Sequence, residues 1–272
     1  MKSLLVHLGG SARDQLRLAV AADLARRFDA HATALFATVP PLLAMPYGDI
    51  GAAVVAQALI ELHQQWRAQA RQAFDAAGLG ARGSWADIGL EPVIPAVAEQ
   101  MLYADLSVLG QHDPQERDGA LPTDLVPAVL AASGRPALVL PYAGGTAPVG
   151  HKVLVAWKAT PAAARAVTAA LPLLRQAREV TVLSAGAPAG GCTGTPLDIE
   201  RSLRLHGVRA ELQRLDGEPP EIGEWLLSRA ADVGADLLVM GCYGHSRARE
   251  FVLGGATRTV LAAMTLPVLM CH

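Results

Sequence analysis

The sequence predicts an α/β fold of two doubly wound domains, each with a five-stranded parallel sheet. Three observations carry that expectation. Short apolar runs alternate with longer alanine- and leucine-rich stretches, the strand–helix alternation of right-handed βαβ crossovers. Runs such as LLVM (237–240) and ALVLP (137–141) are apolar continuously rather than alternately, as in a parallel sheet covered on both faces. The third observation is an internal repeat. Residues Ala128–Pro141 align with Thr259–His272, and in the same ungapped register Ala104–Gly110 falls on Ala235–Gly241. Near the start of each copy, Ser3–Ser11 aligns with Lys152–Thr160, so the first copy is longer in its middle, around Pro40 to Gln57.

In the second copy, Lys152–Trp157 reads as a strand and Pro161–Arg175 as a helix, with Pro161 suited to its first turn. Glu179–Ser184 is the next strand, followed by a short helix over Thr195–His206 and a strand over Val208–Leu215. Pro219–Asp232 reads as a helix with Gly234 just beyond its end. Asp236–Met240 and Pro267–Cys271 are strands, separated by a helix near Gly255–Met264. The first copy keeps this order with a longer second helix, Gly51 to Ala77. The expected domains are residues 1–141 and 151–272, joined by a Gly/Pro-rich linker over 142–150. Duplication places two equivalent sheet edges in one chain. The last strands, Ala137–Pro141 and Val268–Cys271, are therefore expected to pair as an intramolecular pseudo-dimer.

A length of 272 residues agrees with two domains. With 51% hydrophobic and 18% charged residues the chain is not disordered. A net charge of −2 argues against a protein that tracks duplex nucleic acid, and 4% aromatic residues against a base-stacking platform. Cys192, Cys242 and Cys271 form no CxxC pair and no zinc-type cluster, which points to a reducing compartment, the cytoplasm. The initial apolar run is short and interrupted by His7, unlike a signal peptide. The uncharged stretch Val180–Leu197 is broken by glycines and prolines, so no membrane span is expected. Trp66, Trp85, Trp157 and Trp225 are expected in cores or interfaces. The proline-broken segment Pro40–Ile50 reads as a partly packed loop or a cover for a pocket or partner surface.

In doubly wound sheets ligands bind beyond the carboxyl ends of the strands, near the switch in strand order. Beyond Met240 the chain reads Gly241-CY-Gly244-HSRAREFVL-Gly254-Gly255-A-Thr257. Glycines there let backbone N–H groups approach phosphate oxygens, and a helix N-terminus adds partial positive charge. Arg247, Arg249 and Arg258 could supplement that field. The alternative is that these glycines only make a turn and a helix entry. His245 beside Ser246 has no GxSxG surround. Walker A and HExxH motifs are absent from the sequence, and its one GxGxxG string, Gly78–Gly83, follows the long helix rather than a strand, so it lacks the dinucleotide-binding context.

This G-x2-G-x9-G spacing after a strand, followed by a helix and a last strand PVLM, resembles the universal stress protein family. The duplication is similar to its tandem members, and the resemblance spans both copies. It implies a cytoplasmic stress-response or regulatory module that binds ATP, with Mg, rather than a dedicated enzyme. It also implies association through edge strands, with a homodimer of tandem chains as an extension. By position, Gly241, Gly244 and Gly254 would hold phosphates and ribose. Gly255 stands where a Ser or Thr usually follows, with Thr257 two places on. Lys158 replaces the aspartate that contacts adenine; it can only donate hydrogen bonds and would add charge near a polyphosphate. Val180 falls where the family offers backbone to the base.

The first copy departs further. Gly9 stands at the family aspartate, Asp113 opposite Gly244 and Thr123 opposite Gly254. Asp113, Glu116 and Asp118 would repel phosphate, and Pro114 and Pro122 reshape the loop. The segment Leu8–Asp14 lacks the leading Ser and spaced Asp of a pyrophosphatase-type loop. The first copy is expected to be a degenerate, ligand-free domain. Two other readings stand beside ATP binding: a non-binding dimerisation or interaction module, and a slow nucleotide hydrolase.

Overall fold

The computed structural model describes residues 1–40, 52–115, 120–144, 148–185, 197–215, 221–242 and 255–272. The chain divides into two compact units, Met1–Arg135 and Pro136–His272. The first contains β1 (Ser3–Leu8), α1 (Asp14–Phe28), β2 (His31–Phe36) and α2 (Ala52–Ala76). It continues with β3 (Gly83–Asp87), α3 (Val93–Met101), β4 (Leu106–Gly110) and α4 (Leu125–Ser133). Its strands run in the order β3-β2-β1-β4, all parallel. Leu4, Leu5, Val6 and Leu8 of β1 are all buried, as are Leu106, Val108 and Leu109 of β4. Residues pointing to both faces are covered, which is why these runs are apolar without alternation.

The second unit contains β5 (Ala137–Leu140), β6 (Lys152–Trp157), α5 (Pro161–Leu174), β7 (Glu179–Ala185) and α6 (Ile199–Leu205). It is completed by β8 (Glu211–Leu215), α7 (Ile222–Asp232), β9 (Leu237–Gly241), α8 (Gly255–Ala263) and β10 (Val268–Cys271). The strand order is β5-β10-β9-β6-β7-β8. Every pair is parallel except the first, in which Val268 faces Val139 and Leu269 faces Leu138 in an antiparallel ladder. The α/β class and the parallel-dominated sheets are as the sequence predicts; the expected five strands per domain become four and six, because β5 pairs with β10 and falls in the second unit. The last strands of the two sequence copies pair with each other, also as the repeat implies.

The repeat survives at atomic detail. Asp105, just before β4, accepts the backbone N–H groups of Lys2 at 2.5 Å and Ser3 at 3.1 Å. Asp236, just before β9, accepts those of the equivalent residues His151 at 2.9 Å and Lys152 at 3.1 Å. Each carboxylate clamps the start of the central strand to its neighbour. The Lys2 amide, first among several donors and charges, holds the Asp105 carboxyl below the ordinary carboxylate range.

Local chemistry sets the boundaries. Thr160 caps α5 by accepting from the Ala163 N–H at 3.3 Å, with Pro161 in the first turn. Asp198 does the same for α6, accepting from the Arg201 N–H at 2.7 Å. The strand expected from Val208 begins only at Glu211, because the Val208 N–H closes the exit of α6 on the Leu203 carbonyl at 2.9 Å. Trp66 is buried. Cys242 and Cys271 are buried free thiols, and burial pushes the Cys242 thiol well above its ordinary pKa. The segment 41–50 and Cys192 lie outside the described residues. Among the described residues no helix is long and apolar enough to cross a membrane.

Candidate functional site

In the second unit the winding reverses at β6, which lies between β7 and β9. Ala156 is level with Met240, so Trp157 and Gly241 end adjacent strands side by side, and Trp157 is level with Ser184 on β7. Lys158 follows Trp157, and its carbonyl accepts the Thr160 N–H at 2.6 Å. Gly241 is held against the first turn of α5. A Cβ there would overlap the Ala163 amide nitrogen and lie 2.7 Å from the Ala162 carbonyl carbon. A glycine is therefore required at this strand end by helix packing alone.

The helix α8 opens on Gly255, which is exposed and has open space where a Cβ would stand. Thr257, in its first turn, is only 3% exposed. The start of α8 is fixed against α7: a Cβ on Gly223 would come within 2.7 Å of Thr259 Cβ and 3.1 Å of the Ala256 carbonyl. Arg258 is exposed. Gly244, His245, Ser246, Arg247, Arg249 and Gly254 lie outside the described residues.

Lys158 and Gly241 thus share the carboxyl edge of neighbouring strands, and Gly255 and Thr257 share one helix start. Val180 does not join them. It is buried opposite Val153, near the amino end of β7 and four residues before Ser184. At about 3.3 Å per residue that is roughly 13 Å from the ligand end of the sheet. The position on the second strand that the resemblance assigned to Val180 is corrected by the register.

The first unit holds a polar centre that the linear sequence did not reveal. Among the described residues, the buried polar or charged side chains are His7, Asp14, Arg17, Thr38, Ser107 and Gln111 in the first unit, and only Thr257 in the second. All but Ser107 sit at the carboxyl ends of β1, β2 and β4 or in the first turn of α1. Topology gathers residues as far apart in sequence as His7 and Gln111. The one linear signal was Asp14 and Arg17, three apart at a helix start four residues after a Gly-Gly pair.

His7 Nε2 donates to the Ala37 carbonyl at 2.9 Å. Thr38 Oγ1 bonds His63 Nδ1 at 3.0 Å, and His63 packs edge-on to Phe36, which in turn stacks on Trp85. Burial, then the nearby Arg17 charge, lowers the His7 pKa to about 4. Its ordinary value is 6.5, so between pH 6.5 and 4 the unfolded chain binds the extra proton. Stability should therefore be intact above pH 6.5 and fall on acidification. The slope contributed is about 1.4 kcal/mol per pH unit, flattening near pH 4. Unfolding midpoints measured across this window should lose that slope in His7→Gln; an unchanged slope would assign it to other groups.

Comparison with known proteins supports the second unit most directly. Residues 150–272 match the model of the universal stress protein family. A universal stress protein from Synechocystis is 37% identical over 70 residues, which are 26% of this chain and 23% of that relative's length. A universal stress protein from Archaeoglobus fulgidus superposes with a TM-score of 0.69 at 16% identity, covering 99% of this chain and 97% of the other. A putative universal stress protein from Pseudomonas aeruginosa gives a TM-score of 0.60 at 18% identity, covering 100% and 93%. The cytoplasmic domain of a prokaryotic cation chloride cotransporter also superposes, with a TM-score of 0.51 at 12% identity and coverage of 99% and 94%. At these identities the likeness is one of fold, and it spans different biological settings. The family model matches the C-terminal region, residues 150–272, which lie within the second unit.

Proposed function

We propose that the protein is a tandem universal stress protein, a cytoplasmic stress-response or regulatory module whose second unit binds one nucleotide, ATP. The observation that supports this best is the pairing of two features at the ligand end of that unit. The strand β9 ends on Gly241 beside β6 at the switch in strand order, and the next helix opens on an exposed, unencumbered Gly255. The family match over 150–272 adds weight. In this reading the nucleotide supplies the phosphates. Backbone N–H groups around Gly241, Gly244, Gly254 and Gly255 receive them, aided by the α8 N-terminus. Thr257 supports that turn, and Lys158 adds positive charge from the neighbouring strand. Among the described residues no three His, Cys, Asp or Glu side chains gather to hold a metal. A magnesium ion would accompany the nucleotide.

Calorimetric titration with ATP, ADP and AMP tests this. The expected result is one nucleotide per chain, with binding abolished by Gly244→Asp through volume and charge while the fold persists, since the first copy carries Asp113 at that place. Two nucleotides per chain, or unchanged affinity in the variant, would overturn it. One observation favours the second reading, an interaction module without nucleotide. Gly241 has a packing reason of its own, so that glycine is not by itself a phosphate signature. A well-folded protein indifferent to all three nucleotides is the result that reading expects.

A further inference from the structure

We propose that the β1–α1 turn of the first unit is an anion site filled by the chain's own Asp14 carboxylate, so that this unit carries a built-in substitute for a ligand. The Asp14 carboxylate accepts the Gly9 N–H at 3.2 Å and the Gly10 N–H at 2.8 Å. It also accepts from Arg17 Nη2. Two consecutive backbone amides and a guanidinium around one carboxylate, at the start of a 15-residue helix, are the donors that elsewhere hold a bound anion. The site is buried: Asp14 is 0% and Arg17 5% exposed. Arg17 Nε is buried as well and has no acceptor among the described residues, so the guanidinium has donor capacity in hand.

The surroundings close over the turn. Gly10 adopts φ 82°, and a Cβ there would lie 2.5 Å from the Trp66 Cα and 2.6 Å from its carbonyl oxygen, so α2 lies directly on the turn. A Cβ on Gly9 would meet Leu121 Cδ1 at 3.1 Å. A Cβ on Gly110, at the end of β4, would overlap Arg17 Nη1. The ligand end of this unit is thus occupied by Asp14, Arg17, Trp66 and Leu121. The equivalents of Asp14 and Arg17 in the second copy are Ala163 and Ala166, so the substitute is confined to the first unit.

The test is chemical rescue. Asp14→Ala removes a carboxylate and leaves a hole of the size and donor set of formate. Thermal unfolding of the full chain is followed in sodium formate and in sodium chloride of equal ionic strength. Asp14→Ala should unfold at lower temperature than wild type. Formate should raise its midpoint saturably, by roughly 3 °C at tenfold excess over its dissociation constant, and chloride should not. Wild type, its site already filled, should respond alike to both salts, and Asp14→Ala/Arg17→Met should lose the formate response. Formate acting no better than chloride on Asp14→Ala would overturn the proposal. So would an equal formate response in wild type. If Asp14→Ala does not fold in either salt, Asp14→Asn decides, because it keeps the volume and discards the charge. It should unfold below wild type and ignore formate, and a wild-type midpoint would overturn the assignment. None of these readouts depends on nucleotide binding by the second unit.

Discussion

Arg17→Met is expected to destabilise the first unit by about 3–5 kcal/mol, among the largest single-residue effects in the chain. Asp14 is wholly buried and Arg17 nearly so. Methionine matches much of the arginine stem, so the principal loss is the countercharge rather than packing. What remains is a buried carboxylate with two amide donors from Gly9 and Gly10 and no cation. The double variant Asp14→Leu/Arg17→Met should recover part of the loss, because an apolar pair need not be desolvated as ions. Denaturant unfolding of the two single variants and the double gives the coupling directly. A single-variant loss below about 1 kcal/mol would mean that the pair is solvated in the working protein.

This asymmetry between the units was only partly legible. The repeat, the parallel strands and the partner of β10 could be read because each is a local pattern: a continuous apolar run, or an ungapped alignment such as Asp105 on Asp236. Those two aspartates sit in equivalent hydrogen bonds, so the register was sound to the residue. Val180 failed for a physical reason. An apolar residue within a buried run carries no mark of which end of the strand it occupies, and only the pairing of Trp157 with Ser184 shows that. The polar centre of the first unit was invisible for another. His7, Thr38 and Gln111 are each unremarkable in sequence, and burial alone distinguishes them. The first copy read as a domain that had lost its ligand loop. Its structure places a buried ion pair, Asp14 with Arg17, at the start of α1.

Gly241→Ala is expected to cost about 3 kcal/mol or more without any ligand present. The new Cβ would meet the amide nitrogen of Ala163 and approach within 2.9 Å of its Cα and 2.7 Å of the Ala162 carbonyl carbon. These are backbone atoms of a capped first turn, so no side chain can swing away, and α5 must shift from β9. Loss of nucleotide binding in that variant would therefore say nothing about phosphate contacts. Gly255→Asp separates the two roles. A Cβ at Gly255 meets nothing within 4 Å, and its φ is not in the left-handed region, so a side chain is sterically free. An aspartate at the start of α8 should even stabilise the free protein by about 0.3–1 kcal/mol through the helix dipole. The same charge would oppose a phosphate at that helix end. Stability and affinity should thus move in opposite directions at Gly255, whereas at Gly241 they fall together. Thermal unfolding and calorimetry on the two variants check both signs. Wild-type stability in Gly241→Ala would remove the packing reason for that glycine. Wild-type ATP affinity in Gly255→Asp would place the phosphates away from α8.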